Sequence, residues 1–340
     1  MTFEGSPYVS GCLSSLASAV ADPASMRVVV VDNASSDDTV AILRREFPDV
    51  DVLRSDVNVG YGGACNRAAT ESQSEYVAVV NQDVVSTPGW IDRLVEVLDG
   101  SPRLALATPK ILVKDDPRRI NACGNAPHYT GITACRGYNR PPAAFDRLEP
   151  VLAVSGAAFV ARRSAFESVG GFDASFFLYF EDTDLSLRAR LAGYGCVYVP
   201  QAVVLHEFEP TFSARKIRLL EQNRQACWLK LFRWRTLLVL SPALLLTELS
   251  VWAYCLARGP RWLAAKAQSY VGLATRLPLI LRQRWAIGRL RRVPDAELLA
   301  DCTARLDVAE LQQGGSVLPR LAVNWMLAWW YARVLSVVQW

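Results

Sequence analysis

The feature that most constrains this chain is a threefold alternation in its first hundred residues. Met26–Val31, Val50–Arg54 and Tyr76–Val80 are short apolar or β-branched runs that read as strands of a buried sheet. Asp37–Phe47, Gly62–Ser72 and Pro88–Leu98 read as the helices that follow them, with Pro88 near a first turn. Strands alternating with helices form βαβ units with right-handed crossovers, so the spacing predicts an α/β domain on a mainly parallel central sheet. In such sheets ligands bind outside the carboxyl ends of the strands. Two polar clusters fall at those ends, Asp32–Asp37 and Asn81–Asp83.

The alternation stops, and charge shows where the chain changes character. Residues 1–210 carry 18 Lys/Arg and 26 Asp/Glu, whereas residues 211–340 carry 19 and 7, so an overall +4 hides an acidic and a basic part. The basic part also holds nine of the ten tryptophans. Arg with Trp suits an anionic membrane surface better than nucleic acid, because both settle at headgroup level. We therefore expect a catalytic domain over 1–210 and a helical, basic, Trp-rich membrane-associated region over 211–340. Eight scattered cysteines with no C-x-x-C pair argue against a zinc site or disulfide framework and for a cytoplasmic compartment. The N-terminus lacks the apolar run of a secretory signal.

Thr236–Ala257 is an apolar stretch interrupted by Pro242 and Glu248, long enough to cross a bilayer. A buried core helix is the plainer alternative. Basic residues flank both ends (Lys230, Arg233 and Arg235; Arg258 and Arg261), which leaves orientation ambiguous and favours a re-entrant or interfacial hairpin. Leu318–Trp340 is a second candidate, interfacial by virtue of Arg320, Asn324 and Arg333. Gln283–Arg292 between them is basic.

Residues 113–150 read as loops with a hairpin, and an irregular insert of that length is often functional. Val151–Ala161 returns to strand character around Ser155–Gly156, and Cys196–Val199 and Ala202–Leu205 read as two short strands. Between them, the aromatic run Phe176–Phe180 leads into Glu181, Asp182 and Asp184, with helix from Ser186 to Leu191. Acids at a helix start satisfy free N–H groups and the dipole, so capping alone explains them. The functional reading is a catalytic carboxylate at an aromatic-walled pocket. Asp83, just past a strand, can hold Mg²⁺ or Mn²⁺; His206 follows another strand and would favour Mn²⁺. A lone histidine is more often structural. The glycine-rich entry Asn58–Asn66 can turn backbone N–H groups toward an anion, but lacks the P-loop and dinucleotide spacings.

In order along residues 2 to about 230, these segments resemble the family 2 glycosyltransferases, inverting enzymes of the GT-A fold, and within them the rhamnosyltransferase-like group. The carriers are Val30–Asp37, Asn58–Asn66, Asn81–Asp83 at the D-x-D position, Ser155–Ala157, Gly170–Asp173, Phe177–Leu185, Arg188, Gly193–Tyr194 and His206. The resemblance implies that Asp32 recognises the base and that Asn58 and Asn66 line the donor pocket. It implies that Asn81 and Asp83 meet the nucleotide sugar, with Asp83 and His206 as ligands of a metal, Mg or Mn, on the donor diphosphate. Asp182 would be the general base; Glu181, Asp184 and Gly156 would shape the acceptor pocket or support it. Asn81 replaces the first carboxylate of the D-x-D, which weakens the expected metal affinity.

The resemblance also implies an apolar strand ahead of Thr2–Tyr8, and the sequence begins without it. Either the start codon is set too late or the chain tolerates an incomplete sheet. The first is favoured, and a chain without the strand is expected to be poorly stable and to bind donor weakly. The leading functional expectation is transfer of a sugar from a nucleotide-sugar donor, dTDP-rhamnose for example, to a hydroxyl of a lipid-linked or cell-envelope glycan at the inner leaflet. One alternative is a polyprenyl-phosphate sugar transferase whose basic pocket comes from Arg136, Arg140 or Arg215. Another is a catalytically degenerate membrane adaptor. The missing dinucleotide fingerprint disfavours an oxidoreductase.

Overall fold

A computed structural model describes residues 1–207, 212–306 and 318–340, with side chains in the last stretch from 322 onward. The chain divides into two compact units. One comprises Met1–Asn125, Cys135–Ala189 and Tyr194–Glu209; the other comprises Ala126–Ala134, Arg190–Gly193 and Pro210–Trp340. The boundary expected at 210 lies outside the described residues.

The first unit opens with helix α1 (Val9–Leu16) and then follows the anticipated alternation: β1 (Val29–Asp32), α2 (Thr39–Glu46), β2 (Asp51–Arg54), α3 (Tyr61–Thr70), β3 (Tyr76–Val80), β4 (Val84–Ser86) and α4 (Trp90–Asp99). Then come β5 (Leu104–Val113), β6 (Asp116–Ala122), the short pair β7 (Asn125–Pro127) and β8 (Thr133–Cys135), β9 (Glu149–Val151), β10 (Ala158–Arg162), α5 (Arg163–Ser168), α6 (Glu181–Leu191) and β11 (Gly195–His206). Two sequence readings change. The run Val151–Ala161 divides into β9 and β10, with a buried bend between them. The two strands expected over 196–205 are one, irregular between Val199 and Val203.

The sheet is mixed. β1 pairs with β2 in parallel, as the alternation implies, and β5 pairs with β11 in parallel. The other ladders of the seven-stranded sheet, whose central order is β3-β10-β5-β11-β4, are antiparallel. Sequence periodicity reports burial of both faces, not strand direction, which is why the antiparallel partners contributed by 149–162 escaped it. Helix α4 places Trp90, Ile91, Leu94 and Leu98 on one stripe against Ile111, Val160, Val197 and Val199 of the sheet. Full burial of each such side chain contributes about 1.5–3 kcal/mol.

The second unit is helical: α7 (Ala214–Leu231), α8 (Trp234–Arg258), α9 (Pro260–Thr275), α10 (Leu277–Leu290), α11 (Asp295–Ala300) and α12 (Leu318–Val337). Gly259, at φ +100°, ends α8, and Pro260 starts α9, so the two form a helical hairpin. Trp252 Nε1 donates to Tyr270 Oη across it at 2.8 Å. Helix α8 is long and apolar enough to cross a membrane. One of its faces is buried in the unit through Leu240, Ala243, Thr247, Val251 and Cys255, and the other exposes Leu238, Leu245, Leu249 and Leu256. Glu248, which interrupts the apolar run, pairs with Arg224 at 2.8 Å and with Lys266, and Glu221 bonds the same two cations. All eight cysteines are free thiols.

Candidate active site

The donor, metal and carboxylate residues expected from the sequence fall in the first unit, whereas Arg215 falls in the second. β1 ends at Asp32, and the next turn is tied to the glycine loop. Asn33 Nδ2 donates to Asn58 Oδ1 at 2.9 Å, and its Oδ1 accepts from Val59 N at 2.9 Å. Asn58 Oδ1 also accepts from Gly60 N at 2.9 Å. Asn58 is thus a pin of the loop through the neighbouring Asn33, a residue not singled out from the sequence. Asp32 is fully buried, with Arg54 Nε 3.6 Å from its Oδ2; that oxygen has no hydrogen-bond partner among the described residues. A buried acceptor held this way at a strand's carboxyl end is suited to meet a ligand N–H.

Asn66 differs from expectation. Its Nδ2 donates to Phe172 O and its Oδ1 accepts from Phe172 N, both at 2.8 Å. Both ends of the amide are engaged by one backbone residue, so Asn66 clamps α3 to the Gly170–Asp173 turn rather than lining a donor pocket. Of the two roles expected for Asp184, shaping the acceptor pocket or supporting the base, its contacts bear on the second. It is fully buried and accepts from Arg188 Nε at 2.8 Å; Arg188 in turn donates to the carbonyls of Val169 and Gly171. The pair locks α6 against the same turn.

Asp182 lies in the first turn of α6, where the capping reading put it, but its bonds reach elsewhere. Oδ2 accepts from Gly156 N at 2.7 Å and from Asn125 Nδ2 at 2.8 Å, and Oδ1 accepts from Thr183 N at 2.6 Å. A Cβ on residue 156 would lie 3.1 Å from Asp182 Oδ2, so glycine permits this approach. Burial raises the Asp182 pKa, and the three donors pull against that rise. Glu181 is buried, and burial together with the charges of Asp182 and Asp184 pushes it up to about 8. Its Oε2 has no hydrogen-bond partner among the described residues. A protonated Glu181 spares Asp182 a neighbouring negative charge.

The run leading into α6 is held in an unusual conformation. Phe177, Tyr179 and Phe180 have φ of +61°, +68° and +78°. Non-glycine residues in that region cost about 1–3 kcal/mol each and persist where surrounding structure over-determines them. Here Phe177 O accepts from Tyr61 N at 2.6 Å, and Tyr61 Oη donates to Gly156 O at 2.6 Å. The glycine loop, the aromatic run and the Gly156 turn are thereby one hydrogen-bonded assembly.

Asp83 and His206 are brought together by the antiparallel ladder of β4 and β11, which sets His206 opposite Val84. His206 Nε2 lies 3.2 Å from Asp83 Oδ1, and Nδ1 is 2.9 Å from Asn121 Oδ1. An acceptor at Nδ1 holds the ring proton there and turns the Nε2 lone pair toward the carboxylate, the arrangement that second-shell partners give metal-binding histidines. Asn81 Oδ1, nearby in sequence, is a buried acceptor without a partner among the described residues. Asn81 N donates to Ala157 O at 2.9 Å, so Asn81–Asp83 and the Gly156 turn beneath Asp182 share one end of the sheet. Among the described residues no group of three or more His, Cys, Asp or Glu is arranged for a metal. Asp83 Oδ1 and His206 Nε2 are an oxygen and a nitrogen donor of kinds that divalent cations take.

Sequence reasoning missed Asn125 and Asn121. Both lie in the 113–150 insert, whose irregularity marked the segment but no single residue. Arg136, a candidate for a basic pocket, pairs with Glu149 and stacks over Phe145 and Tyr198 at 5.0 and 5.5 Å from the ring centroids.

Across 98% of its length the chain aligns with the crystal structure of S. aureus TarS 1–349 in complex with UDP (TM-score 0.53, 15% identity, 88% of that chain). It also aligns with the mannosyltransferase PcManGT from Pyrobaculum calidifontis in complex with GDP-Man and Mn²⁺ (TM-score 0.50, 17% identity, 99% of this chain and 84% of that one). These likenesses define the architecture as that of the GT-A glycosyltransferases. The chain belongs to glycosyl transferase family 2, whose profile matches residues 1–170, half of its length. It is 34% identical over 232 residues to the N-acetylglucosaminyl-diphospho-decaprenol L-rhamnosyltransferase of Mycobacterium tuberculosis, covering 61% of this chain and 74% of that protein. It is 29% identical over 187 residues to the pre-mycofactocin glycosyltransferase of the same organism, covering 54% of this chain and 37% of that protein.

Proposed function

We propose that this chain is an inverting glycosyltransferase that moves a sugar, L-rhamnose first among the candidates, from a nucleotide diphosphate donor to a hydroxyl of a lipid-linked envelope glycan. The observation that carries the reading is Asp182, half-buried and hydrogen-bonded to Gly156 N and Asn125 Nδ2 at the same sheet end as Asn81–Asp83. Asp182 takes the proton of the acceptor hydroxyl as its oxygen bonds the anomeric carbon. The bond from that carbon to the diphosphate oxygen breaks on the opposite face, and the nucleoside diphosphate leaves with the electron pair. A raised pKa makes the carboxylate a stronger base while the three donors keep it ionisable. Asp83 and His206 would hold a divalent cation, which when bound neutralises charge on the departing diphosphate. Asp32 with the Asn33–Asn58 loop forms the base and ribose side of the donor site.

Residues 1–210 act as the catalytic domain on this reading, and 211–340 as its membrane-associated region. The exposed stripe Leu238, Leu245, Leu249 and Leu256 of α8, with the exposed Trp285, Trp325 and Trp329, suits an interfacial seat on the cytoplasmic leaflet. The acidic catalytic domain stays in water. The rhamnosyltransferase relative, named for a diphospho-decaprenol acceptor, supports a polyprenyl-diphosphate sugar as acceptor.

The test is a donor screen with Mn²⁺ and a GlcNAc-diphospho-polyprenol acceptor, read by product mass spectrometry. Transfer by the wild-type chain and its loss in Asp182→Asn with donor binding retained are expected. A fully active Asp182→Asn would remove the assigned base, and no product with any donor would favour the non-catalytic adaptor.

A further inference from the structure

Tyr61 opens helix α3 and is buried. Its ring meets Phe172 edge to face, with centroids 5.8 Å apart and planes at 75°. Phe172 packs edgewise in turn on Phe159 of β10 and Phe166 of α5. Phe172 is also the residue whose backbone N–H and C=O are both taken by the Asn66 amide. Asn66 lies on α3 with Tyr61. Its clamp therefore fixes, on one helix, the aromatic edge against which the Tyr61 ring is oriented.

The hydroxyl aimed in this way reaches Gly156. Tyr61 Oη donates to Gly156 O at 2.6 Å, and Gly156 N donates to Asp182 Oδ2 at 2.7 Å. Burial holds the Tyr61 phenol well above its ordinary pKa, so the O–H stays a donor at any working pH. The residues flanking Gly156 are tied as well. Val154 N donates to Ser186 Oγ at 3.1 Å, Ser186 Oγ donates to Asp182 O at 2.7 Å, and Asn81 N donates to Ala157 O at 2.9 Å. Gly156 itself has no side chain to anchor it, and a Cβ there would crowd Asp182 Oδ2 at 3.1 Å. A glycine retains more freedom about φ and ψ than any other residue. The tyrosine hydroxyl restrains its carbonyl, and with it the amide that meets the carboxylate.

We propose that Tyr61 is a positioning residue for Asp182: its hydroxyl holds Gly156, and Gly156 holds the carboxylate in line with the acceptor hydroxyl. The inference rests on the reading of Asp182 as the base. Tyr61 acts on that base from two sides. Its side chain fixes Gly156 at the carboxylate, and its backbone N–H donates to Phe177 O in the run that enters α6. Tyr61 also follows Gly60, whose N–H donates to Asn58 Oδ1. The glycine loop on the donor side and the carboxylate on the acceptor side are thus set by one residue. Misplacing a reacting group by 1 Å can cost about 100-fold in rate, so a hydroxyl that only aims the base matters to kcat more than to binding.

Tyr61→Phe in the full chain keeps the ring edge on Phe172 and deletes only the O–H. With the donor and acceptor that the screen above identifies, kcat is measured on the plateau above the acid limb. Affinity is measured by titration with dTDP, UDP and GDP in turn, and exchange of the Gly156 amide by NMR of the chain labelled at glycine. The variant is expected to lose about tenfold in plateau kcat while its nucleoside diphosphate Kd stays within about twofold of the parent. Gly156 exchange should quicken about tenfold, and Tm should fall by only about 2–4 °C. A plateau kcat equal to that of the parent overturns the proposal. So does a fall in kcat matched by an equal loss of affinity, which makes Tyr61 a packing residue of the loop, and so does unchanged Gly156 exchange. If the parent yields no product, the reading of Asp182 as base fails and this role fails with it. Turnover by the parent with any of the other three results overturns the role of Tyr61 alone.

Discussion

Asn125 donates its side-chain amide to Asp182 Oδ2 at 2.8 Å, on the same oxygen that receives the Gly156 amide. Both bonds favour the ionised carboxylate against the rise that burial imposes. Removing one therefore raises the Asp182 pKa further, and the acid limb of the rate profile moves to higher pH. Asn125→Ala is expected to shift that limb up by about one pH unit, with the loss of kcat confined to its acid side, since a hydrogen bond to a charged group is worth about 1.5–3 kcal/mol. Donor KM should change little. A variant with reduced kcat but an unmoved pH limb would make Asn125 a packing residue only.

Glu181 gives a prediction of stability rather than rate. Its folded value of about 8 lies above the ordinary 4.5. Between those values the folded chain holds a proton that the unfolded chain has released, so stability falls as pH rises through that window. The slope approaches about 1.4 kcal/mol per pH unit for one such group. Glu181→Gln keeps the shape and removes the titration. Its Tm should fall less steeply than that of the parent from pH 5 to pH 8 and exceed it at pH 8, and parallel curves would show that Glu181 ionises without cost. Asp182, shifted in the same direction, keeps some slope in both proteins.

The sequence disclosed these carboxylates for a physical reason. Three acids after an aromatic run are a local pattern, and so are the apolar runs of β1 and β3. Their order along the chain carried the rest. Asn125 and Asn121 were illegible because single amides in an irregular segment have no period, and their partners lie 57 and 85 residues away. The Asn66 clamp was read as a ligand-facing residue because a motif states which residue stands at a position, not where its amide points. The antiparallel ladders around β10 were hidden because burial leaves the same apolar signature in either direction.

Asn121 sets the His206 ring, and this is checkable apart from turnover. Mn²⁺ affinity measured by electron paramagnetic resonance in the presence of nucleoside diphosphate should fall sharply in His206→Ala. It should fall by about 10-fold to 100-fold in Asn121→Ala, the usual cost of losing an outer-shell partner. Unchanged Mn²⁺ binding in both variants would make the Asp83–His206 contact purely structural.

Gly60 tests the strained aromatic run. Its φ is +80°, and a Cβ there would come within 2.6 Å of Phe177 Cα and closer still to the Phe177 carbonyl oxygen. Gly170 has a similar φ, +83°, but open space around it. The two glycines therefore separate the conformational penalty from the collision. Gly170→Ala is expected to cost about 1–2 kcal/mol from backbone strain alone. Gly60→Ala is expected to cost about 3 kcal/mol or more, because it also drives Phe177 away and breaks the Tyr61–Phe177 bond. The collision has a functional signature as well. Moving Phe177 shifts the entry to α6 and hence Asp182, while moving the loop disturbs Asn58, which bonds Gly60 N. Gly60→Ala should therefore weaken donor binding and kcat together, whereas Gly170→Ala should leave both near the parent. Equal losses of stability in the two variants, with catalysis intact, would mean that the aromatic run relaxes freely and that its strain does not position the carboxylate.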